Sequence, residues 1–140
     1  MWCPTNKSNT AIAKIAKKDI PIIKIGTSLE PEIFISDFKG AEYRLNKLVP
    51  QVRIHPIVYG AIAEGYHFFK PNMVTIITGK TSKNKYVRSR FTNNRKYLHF
   101  FFKENSVIAK GFIPKGTVYY LNSRGEGVAE QIVLTEMIKL

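Results

Sequence analysis

Three stretches of the chain carry residue types that could do chemistry. The first is Gly-Tyr-His-Phe-Phe at 65–69. An imidazole titrates near neutrality, so His67, just after a glycine-bounded turn, could act as an acid or base or hold a ligand hydroxyl, with Tyr66 beside it. The plainer alternative, which we prefer, is a histidine packed against Phe68 and Phe69 with its ring nitrogens satisfied by backbone. The second stretch holds Glu126 and Glu130, which flank the last expected strand. Residues four apart on a strand share a face, and paired carboxylates can do general acid/base work. Surface charges near a hairpin are again the plainer alternative.

The third stretch is Gly-Lys-Thr-Ser-Lys-Asn-Lys-Tyr-Val-Arg-Ser-Arg-Phe-Thr-Asn-Asn-Arg-Lys at 79–96. Lys80, Lys83, Lys85, Arg88, Arg90, Arg95 and Lys96 would meet phosphates, and Tyr86 and Phe91 would stack on bases if the target is single-stranded. No acidic residue lies between Glu64 and Glu104. An acidic protein partner would suit the same charges, and so would a solvated loop with no partner. Gly79-Lys80-Thr81 is not a phosphate-binding loop. That loop needs a glycine where Val74 stands, because its backbone N–H groups must cradle the phosphates. No named nucleic-acid motif fits the stretch, neither a Gly-x-x-Gly clamp nor a zinc finger.

Other chemistries have little support. His55, His67 and His99 show no metal-ligand spacing. Cys3 is the single cysteine, so no internal disulfide or cysteine metal cluster can form. No cofactor is implied, and the residues lean away from an enzyme.

The elements that position these residues read mostly as strands. Residues 20–26, 33–36, 72–79, 106–113, 117–122 and 128–134 are short, β-branched or aromatic runs bounded by turn residues. Pro114 and Gly116 suit a tight turn. Residues 10–19 fit either a short helix or an extended lead-in, and 41–50 a weak strand or one helical turn. Residues 96–103 also read both ways: Leu98, Phe101 and Phe102 share a helix face, whereas Leu98, Phe100 and Phe102 share a strand face. The expectation is one β-rich α+β domain over residues 10–140, closing in an antiparallel meander, after a flexible tail at 1–9.

Composition bounds the partners. The 140-residue chain carries 22 Lys and Arg against 10 Asp and Glu, a formal net charge of +12, which favours polyanions. At 44% hydrophobic residues it resembles a folding chain, not a disordered one. No signal-peptide core and no run of about 20 apolar residues is present. A cytoplasmic location without membrane association is therefore expected, and the sequence leaves the oligomeric state open.

Three short motifs carry a resemblance: Ala-Lys-Lys-Asp-Ile at 16–20, Glu-Gly-Tyr-His-Phe-Phe at 64–69, and the run from Ile113 through Ile-Pro-Lys-Gly-Thr-Val-Tyr-Tyr to Glu126 and Glu130. Together they resemble a group of small proteins of gut-type bacteria and their phages to which no activity is attached. In that group Ser or Thr is usual where Phe68 stands, and a short helix is usual where the basic stretch lies. The resemblance implies a compact fold and a phage or mobile-element setting. It implies no mechanism. The order of an early strand, a Tyr-His element and a late Glu is also similar in layout to ADP-ribosyltransferase-like folds. Their Gln/Glu-x-Glu triplet is missing, since the triplet ending at Glu130 begins at Val128.

Overall fold

A computed structural model describes residues 13–36, 40–54, 65–71, 74–80, 85–91, 97–101, 106–121 and 125–139. The strands are β1 (Lys14–Ile15), β2 (Ile20–Glu30), β3 (Ile33–Ser36), β4 (Glu42–Arg44), β5 (Tyr66–Phe69), β6 (Val74–Lys80), β7 (Lys85–Phe91), β8 (Tyr97–Phe101), β9 (Ser106–Ile113), β10 (Val118–Leu121), β11 (Glu126–Ala129) and β12 (Val133–Lys139). Every strand pairing is antiparallel. Among the described residues there is no helix, so the β-rich expectation holds and its α component does not.

The helical alternatives lose because strand neighbours satisfy the backbone first. Lys14 and Ile15 pair with Tyr119 and Val118. Ala16 donates to the Thr117 carbonyl and accepts from the Gly116 N–H. Tyr97–Phe101 pairs along β7. The tail expected at 1–9 lies outside the described residues.

Nine strands form one sheet that forks at β2. One edge of β2 pairs with β9 from Ile20 to Thr27. The other meets β5 at Ile23 and then β3 from Gly26 onward. From β5 the sheet continues through β11 and β10 to β1. From β3 it continues to β4, after which the N–H groups of Asn46, Val49 and Val52 donate to the carbonyls of Leu134, Ile132 and Glu130. Leu134 lies in β12, which pairs with β9 and so returns to β2. The backbone hydrogen bonds thus close a ring.

The C-terminal meander is not what forms. β10 and β11 pair as neighbours, but β9 pairs with β2 and β12, and β11 pairs with β5. The run at 128–134 also splits in two. Glu130 donates its N–H to Val118, and the carbonyls of Glu130 and Ile132 accept from residues 52 and 49, which ends β11 and starts β12 on a different neighbour. A simple meander does occur in β6–β7–β8, a separate three-stranded sheet.

Alternation of side chains along each strand sorts the large sheet into two faces. Ile22, Phe34, Tyr43, Phe68, Val107, Ala109, Ile113, Ala129 and Leu134 belong to the main core. On the other face Ile54, Tyr120 and Val128 form a smaller cluster. Phe34 and Ile113 are fully enclosed, and burying each such side chain contributes about 1.5–3 kcal/mol. Two glycines make room for core rings. A Cβ on Gly26 would stand 2.8 Å from the Phe34 ring and collide with the Ile35 carbonyl, and one on Gly127 would collide with the Phe68 ring.

Candidate functional site

The structure separates Tyr66 from His67. They are consecutive on β5, so they face opposite sides of the sheet. His67 lies directly opposite Val128 and is 3% exposed. Glu126 lies opposite Phe69 and is fully buried. Directly opposed residues share a face, so His67 and Glu126 occupy diagonal positions on the smaller cluster's side. Glu130 is buried just beyond the end of β11, where its Oε2 accepts the Ile54 N–H at 2.9 Å. The reading of Glu126 and Glu130 as surface charges is therefore corrected. One is enclosed within a strand, and the other closes the backbone of the 45–54 segment. Among the described residues no group of three His, Cys, Asp or Glu side chains is placed to hold a metal.

Tyr66 belongs to the main-core side, which also holds a residue that sequence reasoning missed. Lys24 is 4% exposed in the middle of β2, opposite Ala109. Its Nζ donates to the His67 carbonyl and sits 5.3 Å from the centre of the Tyr43 ring. Tyr43 and Tyr66 meet edge to face at 6.1 Å, and the Tyr66 hydroxyl donates to the Pro50 carbonyl at 2.6 Å. Desolvation pushes the Lys24 amine down from 10.5 to about 7. Burial, and then the neighbouring Tyr66, push the Tyr43 phenol up, and burial does the same to Tyr66. The available signal was a lone cation at an inward position of Ile-Pro-Ile-Ile-Lys-Ile, two residues after Ile22.

The quoted motifs meet in space. The Asp19 carboxylate accepts the Lys115 N–H at 2.9 Å, tying the lead-in to the Pro114–Gly116 turn, where Gly116 has φ 88°. The 65–69 element pairs with β11 from the third motif. Phe68 is a core residue at 2% exposure. These motifs contribute to the build of the large sheet.

The basic stretch forms part of the smaller sheet. Lys80 ends β6 and pairs with Lys85, the first residue of β7. On β7, Tyr86, Arg88 and Arg90 alternate with Lys85, Val87, Ser89 and Phe91. The register sets Tyr86 between Gly79 and Phe101, Arg88 between Ile77 and His99, and Arg90 between Thr75 and Tyr97. Lys83, Arg95 and Lys96 lie outside the described residues.

Comparison of the chain with protein-family models, with curated proteins and with solved structures gives no match. No helix among the described residues is long and apolar enough to cross a membrane.

Proposed function

We propose that this protein binds nucleic acid through the β6–β7–β8 sheet. The observation that carries the reading is the strand pairing of the basic stretch, which places Lys80, Lys85, Arg88 and Arg90 with Tyr86 and Phe91 on adjacent strands of one small sheet. The stretch from residue 65 to residue 103 supplies Lys70, Lys80, Lys83, Lys85, Arg88, Arg90, Arg95, Lys96 and Lys103 with no acidic residue among them. Such a field attracts a phosphate backbone, and binding releases its counterions.

The test is fluorescence-polarisation binding of labelled RNA and DNA oligonucleotides across a salt series, with the wild-type chain and an Arg88→Gln/Arg90→Gln variant. Each lost phosphate contact should flatten the slope of log affinity against log salt by about 0.7–0.9. An unchanged slope removes these two positions from the interface. Equal binding to an acidic polypeptide of matched charge would replace the nucleic-acid reading with that of a protein-binding module.

A further inference from the structure

We infer that the large sheet carries a second phosphate-contacting surface, at the corner where the lead-in to β2 packs along the β9–β10 turn, and that this corner holds the nucleic-acid backbone without reading bases. The inference rests on the nucleic-acid reading above and adds a contact surface on other elements. Lys14, Lys17, Lys18 and Lys115 are all exposed. The fold brings the last of them to the other three. Lys14 lies opposite Tyr119 in the β1–β10 pairing. The Ala16 carbonyl then accepts the Gly116 N–H at 2.8 Å, and the Asp19 carboxylate accepts the Lys115 N–H at 2.9 Å. Lys17 and Lys115 thus flank one main-chain hydrogen bond. Ala16, 2% exposed, anchors the crossing in the main core, so the lysines stand on a fixed backbone.

Their charges act together. Residues joined across such a bond have Cα atoms about 5–6 Å apart, inside the roughly 8 Å over which physiological salt screens a charge. Asp19 is the acidic residue of the corner, and its carboxylate is engaged by a backbone N–H. Among the described residues no carboxylate forms an ion pair with any of the four lysines. Glu30 and Glu32 are exposed at the β2–β3 turn, and Glu136 has Lys110 as its cross-strand partner. β2 runs from Ile20 to Glu30, about 30 Å, so salt screens the acids of that turn from the corner. Like charges gathered in this way repel one another and cost the fold stability, a cost that a bound polyanion offsets. Lysine also fits backbone contact. Its ammonium is a point charge on a flexible stem, suited to phosphate, whereas base reading takes paired donors held in fixed geometry.

The experiment repeats the salt series with a Lys17→Gln/Lys18→Gln/Lys115→Gln variant, on oligonucleotides of several base sequences. With one phosphate held by each lysine, the slope of log affinity against log salt should flatten by about 2 to 3. The loss should be the same for every base sequence and should add to that of Arg88→Gln/Arg90→Gln, as effects of separate sites do. The three side chains are exposed and their main-chain bonds remain, so the urea midpoint should not fall. An unchanged slope in the lysine variant, with a flattened one in the arginine variant, would overturn this inference while leaving nucleic-acid binding intact. So would a loss confined to one base sequence. Phosphatidylserine vesicles provide the other arm: binding to them that the lysine variant loses, with oligonucleotide slopes unchanged, would replace the inference with a membrane-surface role. Absence of oligonucleotide binding by the wild-type chain would overturn the nucleic-acid reading itself.

Discussion

Replacing Lys24 by methionine should stabilise the protein below neutrality and remove much of the pH dependence of its stability. The amine lies inside the main core at 4% exposure, and its proton affinity falls from 10.5 to about 7 on folding. At 1.36 kcal/mol per pH unit, the charged form costs the fold roughly 5 kcal/mol. The depressed value fixes the sign. Below about pH 7 both states hold the proton and the folded state bears the whole cost. Between about 7 and 10.5 the unfolded chain binds more protons than the folded one, so stability rises with pH. Methionine fills similar space without charge. It also leaves the His67 carbonyl without the Lys24 hydrogen bond, a loss of about 1–3 kcal/mol. The net gain at pH 6 should be on the order of 2–4 kcal/mol and should vanish or reverse near pH 10. Urea unfolding followed by circular dichroism at several pH values measures the difference. A variant less stable than wild type at pH 6, or a difference that does not change between pH 6 and 10, refutes the reasoning.

Other perturbations have equally definite expectations. Gly26→Ala sets a methyl group against the Phe34 ring and the Ile35 carbonyl and should cost at least about 1–3 kcal/mol, read as a lower urea midpoint. Glu130→Ala leaves the buried Ile54 N–H without its acceptor and should cost about 1–3 kcal/mol, while Glu130→Gln, which keeps an acceptor oxygen, should cost less; the two midpoints compared directly decide it. Tyr66→Phe removes the hydrogen bond to the Pro50 carbonyl and should cost about 0.5–1.5 kcal/mol by the same measurement. In alkaline absorbance titration, the folded protein should hold Tyr43 protonated beyond the ordinary phenol range near pH 10, and Tyr43→Phe should leave the early part of that curve unchanged.

Much of the strand content was legible because β-branched and aromatic runs between turn residues leave the backbone few alternatives. The 33–36 and 106–113 runs match β3 and β9 residue for residue. The turn at Pro114–Gly116 was legible for the same reason, since a positive φ favours glycine. The helical alternatives at 10–19, 41–50 and 96–103 gave way at Lys14–Ile15, Glu42–Arg44 and Tyr97–Phe101, where strand pairing supplied hydrogen bonds that a local pattern does not contain.

The sequence by itself determined which β-branched and aromatic runs favour strands, and with them the two-residue alternation along each such run. It determined the uninterrupted positive charge from residue 65 to residue 103 as well. Only the tertiary structure decided which strands are neighbours. Glu126 is buried because β5 lies beside β11, Lys24 because β2 lies between β9 and β5, and Arg88 pairs in register with His99 because β8 folds back on β7. Burial and cross-strand partners depend on contacts between residues far apart in the chain. A strand's own residues specify its alternation but not the strand that pairs with it.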